Sequence, residues 1–410
     1  MKYVIIGASI AAASAIEAIR KNDKTGSITL IGKENDPPYC RPLISYALWG
    51  KTTFEKMPYR SPLFYEENKV KLILGKAATA IDKKKKTVTL DDKTVFSYDK
   101  LLIATGSRPF VPPMDGLEKV DKKFTFMTMD SAKALEKEIT PQSRVLVIGA
   151  GLIGLKCCEG ILDKVASLDV VDMAPRILPS ILDEDGAKRV QDFLEEKGIT
   201  FHLGDSTASF TKKTATLKSG GKLTFDILVL AVGVRANTDL IAAIGGDLNR
   251  GIVTNVQCQT SLPDIYAAGD CATSHDITCD TERVLALFPN ANIMGEIAGS
   301  NMSGAEKHYD NAIAANAIGF FGLHIVTGGS YIGEKLDLST PTGYKVLFTK
   351  DDHLVGMILI GDTIARSGIY TNLIRKRIPL SSLNFDLIAQ SPMLMAFKST
   401  DRVSMLGERQ

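Results

Sequence analysis

A chain of 410 residues is too long for one ordinary hydrophobic core, so two or three domains are expected. With 45% hydrophobic and 23% charged residues it has the composition of a soluble globular protein, and a formal net charge of +2 gives no reason to expect a nucleic-acid partner. It has no run of about eighteen apolar residues, so no membrane span is expected, and the cytoplasm is the expected location.

The N-terminus, "MKYVIIGASIAAASAIEAIR", is apolar enough to suggest a signal peptide, but its only basic residue before the apolar run is Lys2. It reads better as a strand (Tyr3 to Ile6), a turn at Gly7 and a helix from about Ile10. This is a degraded G-x-G-x-x-G: Ser9 stands at the second glycine and Ala12, a known variant, at the third. On its own it fits a phosphate-binding turn and a plain structural turn equally well. The next strand, "SITLI", runs to Gly32, and Glu34 is the nearest acid. Then comes "PPYCRP", which sets Cys40 beside Arg41 and Pro42. A polar hairpin containing the lysine run Lys83 to Lys86, read as a solvated turn, leads to a buried strand ending in Ala104-Thr105-Gly106.

The pattern then repeats. "RVLVIGAGLIG" (Arg144 to Gly154) matches "KYVIIGASIAA", and "TATLKSGGKLTFDILVLAVG", ending at Gly233, matches "TVTLDDKTVFSYDKLLIATG". Asp99 and Asp226 hold equivalent places before the second strand of each copy. Copy two carries the intact fingerprint Gly149, Gly151, Gly154. Its glycines serve the tight turn, the approach of backbone to pyrophosphate, and the packing of helix on strand. Free N–H groups and the positive dipole end, from Gly151 through Leu152 and Ile153, would face the phosphates. Asp172 ends the following strand at the spacing expected for a ribose-binding acid; its charge would repel a 2′-phosphate, so NADH is expected over NADPH, with Arg176 as the one opposing feature. Alternating strands and helices in both copies predict an α/β fold with parallel sheets.

Further on, "TSLPDIYAAGDCA" ends a strand at Asp270, either a polyol-binding carboxylate or a helix N-cap. A second hairpin (Tyr344 to Ile360) and a helix (Ser367 to Lys376) close the pattern. The six cysteines form no C-x-x-C and fit no zinc or iron–sulfur spacing, so free thiols and no metal are expected.

This ordered set resembles the pyridine nucleotide-disulfide oxidoreductases, flavoproteins with two dinucleotide-binding domains, over about residues 1 to 325. The resemblance implies two Rossmann-like domains plus a smaller C-terminal α+β domain. FAD would occupy residues 1–112 and 246–322, NADH residues 113–245, and residues 323–410 would form an interface domain. It places Gly7, Ser9, Ile10, Ala11 and Ala12 on the FAD pyrophosphate, Glu34 near the adenosine ribose and Ala78 near adenine. Ala104, Thr105 and Gly106 would close the FAD cleft, Asp270 would hold the ribitol, and the helix start at Asn290 would face the flavin. Gly149, Gly151, Leu152, Ile153, Gly154, Asp172 and Gly233 would hold NADH. Within the family, "PPYCRPLISYAL" is similar to the Tyr-x-Arg-Pro segment of NADH:rubredoxin oxidoreductases and nitrite reductase FAD domains, which implies Arg41 and Pro42 beside the flavin. Many relatives carry glutamate two residues after the third NAD-site glycine, near the nicotinamide; here that residue is Lys156, and Arg41 and Lys156 are the candidates for supporting roles.

The function so implied is hydride transfer from NADH to FAD and electron delivery to rubredoxin or another iron–sulfur protein. The alternatives are an NADH-facing subunit of a larger oxidoreductase and, behind it, an NADH oxidase or coenzyme A disulfide reductase. The chain would be free-standing, homodimeric or part of a complex. In cysteine-dependent relatives the nucleophile falls three residues after an aromatic. Counting from Tyr39 that place is Pro42, so Cys40 is expected on the far side of a helix starting here, about 200° away.

Overall fold

The structure, a computed structural model, describes residues 1–397 and Arg402; the remaining end of the expected C-terminal domain lies outside the described residues. The chain forms two compact units. The first comprises Met1–Ser180, Ala187–Ser274 and Arg283–Tyr309, and the second comprises Ile181–Gly186, His275–Glu282 and the chain from Asp310. The helices, in chain order, are α1 (Ile10–Asn22), α2 (Ile44–Leu48), α3 (Pro62–Glu67), α4 (Met129–Glu138), α5 (Leu152–Ile161), α6 (Glu184–Glu196), α7 (Asp239–Ala242), α8 (Phe288–Met302), α9 (Ser367–Lys376) and α10 (Phe385–Gln390).

The duplication in the sequence is a duplication in space. In the first unit one parallel sheet has the order Ile265–Ala267, Lys100–Ile103, Lys2–Ile6, Ser27–Ile31, Val70–Ile73. The other has Lys123–Thr125, Ile227–Leu230, Arg144–Ile148, Ser167–Asp172, Ile199–Leu203, again parallel. Both central strands are buried along almost their whole length, as a sheet covered on both faces requires. The equivalent acids do equivalent work: Asp99 accepts from Lys2 N at 2.7 Å, and Asp226 from Arg144 N at 3.1 Å, each pinning the start of its central strand. Each copy adds a three-stranded antiparallel sheet, Ala78–Asp82, Thr87–Leu90, Val95–Ser97 and Thr207–Phe210, Thr214–Leu217, Lys222–Thr224. The Lys83–Lys86 turn is exposed; within it Lys83 donates to Ile244 O and Lys86 to Asp264, each at 2.6 Å.

One ladder joins the copies, and a second contact brings the returning chain onto copy one. Just past the terminal glycines, Ser107–Pro109 pairs antiparallel with Val234–Ala236. The returning chain also lays α8 against α1. There a Cβ on Gly295 or Gly299 would strike the carbonyl oxygens of Ala11 and Ala15, so only glycine permits this approach. Ser14 Oγ donates to Asn292 Oδ1 at 2.6 Å across the same contact.

The second unit is a five-stranded antiparallel sheet, Ala315–Phe320, Leu323–Gly329, His353–Gly361, Gly343–Lys350, Glu334–Asp337. Its core contains Leu347, Met357 and Leu359 from the sheet, Tyr370, Leu373 and Ile374 from α9, and Ile388 from α10. The strands His353–Gly361 and Gly343–Lys350 form the expected hairpin, and α9 spans the expected Ser367–Lys376.

Candidate functional site

Each fingerprint is a strand that ends in a glycine of positive φ. Gly7 has φ +112° and Gly149 φ +115°; a side chain on either would collide with the carbonyl oxygen of Ala104 or Ala231, the residue that follows the neighbouring strand. The same hydrogen bonds hold both turns: Gly7 N to Ile31 O and Gly149 N to Val171 O, each 2.8 Å. Gly154 is also obligatory, because its Cβ would meet Gly149 O. Gly151 is different. Nothing lies within 4 Å of a Cβ there, and its counterpart Ser9 sits in extended backbone as the N-cap of α1 with no side-chain capping bond. Within the protein, then, the second fingerprint position accepts a serine in copy one without a clash. Ile10, Ala11 and Ala12 open α1 as buried residues, whereas Leu152 and Ile153 at the start of α5 are half-buried.

Around the first turn the chain gathers Ala104, Thr105, Gly106, Asp270 and the start of α8. Gly269 Cα faces Ala11 and Ala291: a Cβ there would sit 3.4 Å from the Cβ of each. Thr105 Oγ1 donates to Asn237 O and Asn237 Nδ2 donates to Thr105 O, both at 2.8 Å. Asp270 is only partly exposed, and among the described residues the one side chain that donates to its carboxylate is Ser107, at 3.4 Å. Burial pushes its carboxyl above the usual range, while the Arg41 guanidinium pulls it back. Asn290 is buried in the first turn of α8, its Oδ1 accepting from Tyr309 at 2.7 Å, so it presents that turn through its backbone.

Glu34 and Arg41, expected at opposite ends of a flavin nucleotide, form an ion pair at 2.5 Å. Tyr39 completes it: its hydroxyl donates to Glu34 Oε2 at 2.6 Å and accepts from Arg41 Nη1 at 3.1 Å and from Met129 N at 3.0 Å. Arg41 also donates to Met127 O at 3.0 Å, and the charges of Glu34 and Asp270 both act on its guanidinium. Burial and the Glu34 bond hold the Tyr39 hydroxyl well above its ordinary range. Pro42 is exposed. Ala78 starts its strand next to the segment 73–76, which is paired with 32–34 through Gly75 N to Glu34 O at 3.0 Å.

At the second turn, Asp172 accepts from Ala150 N at 2.6 Å and from Ala174 N at 2.8 Å, tying the strand end to the glycine turn. The loop after it returns to the turn through Leu178 N to Ala150 O at 3.0 Å, and in that loop Arg176 Nε is buried without a hydrogen-bond partner. Gly233, φ +112°, has open space around it and leads into the strand that pairs with Ser107–Pro109. On α5, Lys156 pairs with Glu159 and stands over the Tyr46 ring, 4.1 Å from its centroid.

The thiols divide sharply. Cys157, Cys158, Cys258 and Cys271 are buried, and burial raises all four, Cys258 to about 12. Cys40 precedes the helix instead of lying on it: the turn begins as a short 3-10 segment at Arg41, with Cys40 in extended backbone as its cap. Its thiol, too, is raised by burial, and no disulfide forms. The local sequence did not disclose Tyr39, Tyr46, Ser107, Asn237 or the backbone at Met127 and Met129. Tyr39 alone had a signal, its place in Tyr-x-Arg-Pro.

The turn at Gly7, the capacity left on the half-buried carboxylate of Asp270, and the two helix starts of α1 and α8 fit a flavin dinucleotide. The turn at Gly149 with Asp172 fits a second dinucleotide.

Comparison with known proteins agrees with this geometry. Residues 1–295 match the family model described as pyridine nucleotide-disulphide oxidoreductase. The chain is 29% identical to the epsilon subunit of NADH-dependent phenylglyoxylate dehydrogenase of Aromatoleum evansii, over 95% of this chain and 94% of that one. It is 31% identical to the assimilatory nitrate reductase electron transfer subunit of Bacillus subtilis over 92% of its own length, and it spans about half (49%) of that longer protein. The crystal structure of NADH:rubredoxin oxidoreductase from Clostridium acetobutylicum superposes with a TM-score of 0.74 at 25% identity, covering 93% of this chain and 95% of that one. The chain therefore belongs to the pyridine nucleotide-disulphide oxidoreductase family and is an FAD-dependent oxidoreductase that works with a pyridine nucleotide.

Proposed function

We propose that this protein takes hydride from NADH onto its FAD and passes the electrons to a small iron–sulfur protein of the rubredoxin kind. The observation that carries the reading is the pairing of two dinucleotide turns within one unit, joined by Ser107–Pro109 and Val234–Ala236. A disulfide reductase needs a thiolate near the flavin, and the two thiols next in sequence to the expected FAD residues, Cys40 beside Arg41 and Cys271 beside Asp270, are both raised by burial.

FAD, when bound, supplies the capacity to accept two electrons and release them one at a time. The residues of the chain do the rest. Gly7, Ser9, Ile10, Ala11 and Ala12 bring the positive end of α1 to the FAD pyrophosphate. Glu34 and Ala78 take the adenosine end; Ala104, Thr105, Gly106 and Asp270 take the ribitol. Arg41, paired with Glu34 and acted on by the charge of Asp270, would set its positive charge toward the bound cofactor. The first turn of α8, at Asn290, would face the flavin ring with its positive dipole end and favour negative charge on it. Gly149, Gly151, Leu152, Ile153, Gly154, Asp172 and Gly233 hold NADH, Asp172 disfavouring a 2′-phosphate. We assign residues 1–112 with 246–309 to the FAD domain and 113–245 to the NADH domain; the boundary expected at 322 moves back to 310, because Ala315–Phe320 pairs in the sheet of the second unit, which we assign as the interface domain.

A second reading is an NADH-facing electron-transfer subunit of a larger oxidoreductase. It is favoured by the match, over nearly the full length of both chains, to a protein named as a dehydrogenase subunit. Anoxic NADH oxidation with rubredoxin, ferredoxin, coenzyme A disulfide and oxygen side by side tests the proposal: rubredoxin or ferredoxin should be reduced fastest. Turnover with coenzyme A disulfide alone would overturn it, and copurification of a tight partner that restores activity would favour the second reading.

A further inference from the structure

We propose that Lys156 makes this site select against the oxidised, cationic nicotinamide of NAD+ relative to the neutral ring of NADH. The proposal rests on the reading of the α5 turn as the NADH site.

Lys156 is the fifth residue of α5, one turn in from the glycines that would hold the pyrophosphate. Helix α5 packs directly on α2, the helix that follows Arg41–Leu43 on the flavin side. The approach is close: a Cβ on Gly160 would come within 3.0 Å of Ser45 O and 3.1 Å of Leu48 Cβ. Hydride transfer needs the two rings about 3–3.5 Å apart, so a nicotinamide bound from the α5 turn must reach the strip where α5 adjoins residues 39–48. The contact between the Lys156 ammonium and the Tyr46 ring lies on that strip.

The pair that Lys156 forms with Glu159 is polarised by burial. The Lys156 side chain is 17% exposed and that of Glu159 is 1% exposed. The carboxylate is shut into the helix packing, and the ammonium is the end that a ligand can meet. An incoming neutral dihydronicotinamide is indifferent to that charge. The same ring after loss of hydride carries +1 and is repelled, more strongly than in water because the strip is partly desolvated. The consequence is weak retention of NAD+ and fast release of the product.

The test is calorimetric titration of the FAD-loaded protein: NAD+ into the oxidised form, NADH into the dithionite-reduced form, and ADP-ribose, which lacks the nicotinamide, into both. Lys156→Gln should tighten NAD+ about three- to tenfold and leave NADH and ADP-ribose within about twofold. Lys156→Arg should behave as wild type. Glu159→Gln, which removes the carboxylate charge paired with the ammonium, should weaken NAD+; this opposite sign is not expected of a residue that only fastens α5 to α2. If NAD+ and NADH move together, or neither moves in either variant, the proposal is overturned. If the wild-type protein binds neither NADH nor ADP-ribose, the reading of the α5 turn as a nucleotide site fails, and the proposal falls with it.

Discussion

Replacing Tyr39 by phenylalanine removes one oxygen from the most connected point of the site. The ring stays, and it is buried to 3% exposure, so no apolar area is lost and no large cavity is made. What disappears is a donor to Glu34 at 2.6 Å and an acceptor for Arg41 at 3.1 Å and Met129 N at 3.0 Å. Arg41 and Glu34 keep their own bond at 2.5 Å, which limits their loss. Met129 N opens α4, where the Thr128–Ser131 capping box satisfies neighbouring donors but not this one. A buried bond to a charged group contributes about 1.5–3 kcal/mol, and a buried donor left bare costs about 1–3 kcal/mol. With the ion pair retained, the net cost should be about 2 kcal/mol. Urea unfolding of the FAD-free protein followed by fluorescence should show a lower midpoint with unchanged slope, and NADH affinity of the loaded protein should hold. A loss below about 0.5 kcal/mol would mean that the Tyr39 hydroxyl does not organise the segment, and the account of how Glu34 and Arg41 are held would be refuted.

Gly149→Ala should abolish measurable NADH binding while FAD content stays normal, because φ +115° and the Ala231 carbonyl leave no room for a methyl group; retained NADH affinity in a titration would contradict this. Asp226→Asn should destabilise the protein at neutral pH. The Asp226 carboxyl is held well below its ordinary 3.8 by bonds from the Arg144 side chain and backbone, so its contribution is present above about pH 4 and is lost as pH falls through the lower folded-state value. Thermal melts of variant and wild type should therefore converge in strong acid, and a gap that persists there would point to another cause. Cys40→Ser should retain NADH:ferricyanide activity within about twofold, since its thiol is protonated at neutral pH; lost activity with normal FAD content would return Cys40 to the chemistry.

The parts that were legible in the sequence are those dictated by local backbone. A strand that meets glycine, a helix that follows, and an acid before the next strand are short-range patterns, and both copies follow them down to the shared bonds of Asp99 and Asp226. The ends of α9 were legible for the same reason. The contacts that organise the site were not. Tyr39 reaches Met129, 90 residues on, and no local period encodes that. Lys156 and Glu159 were visibly one turn apart, but which of them is shut from solvent depends on the arrival of α2. Cys40 was misplaced by a residue because a proline at the second position opens the turn as 3-10, leaving the cysteine outside the helix.

The ladder between Ser107–Pro109 and Val234–Ala236 has a mechanical consequence. Each of its strands begins directly after a positive-φ glycine, Gly106 or Gly233, around which a side chain would meet nothing. The ribbon draws both glycines in: Gly106 O accepts from Asn237 N and Gly233 O from Phe110 N, each at 2.9 Å, and Asn237 is latched to Thr105 as well. The ribbon therefore fixes the spacing of the two nucleotide halves, the residue after each of its strands being bonded to the glycine that leads into the other.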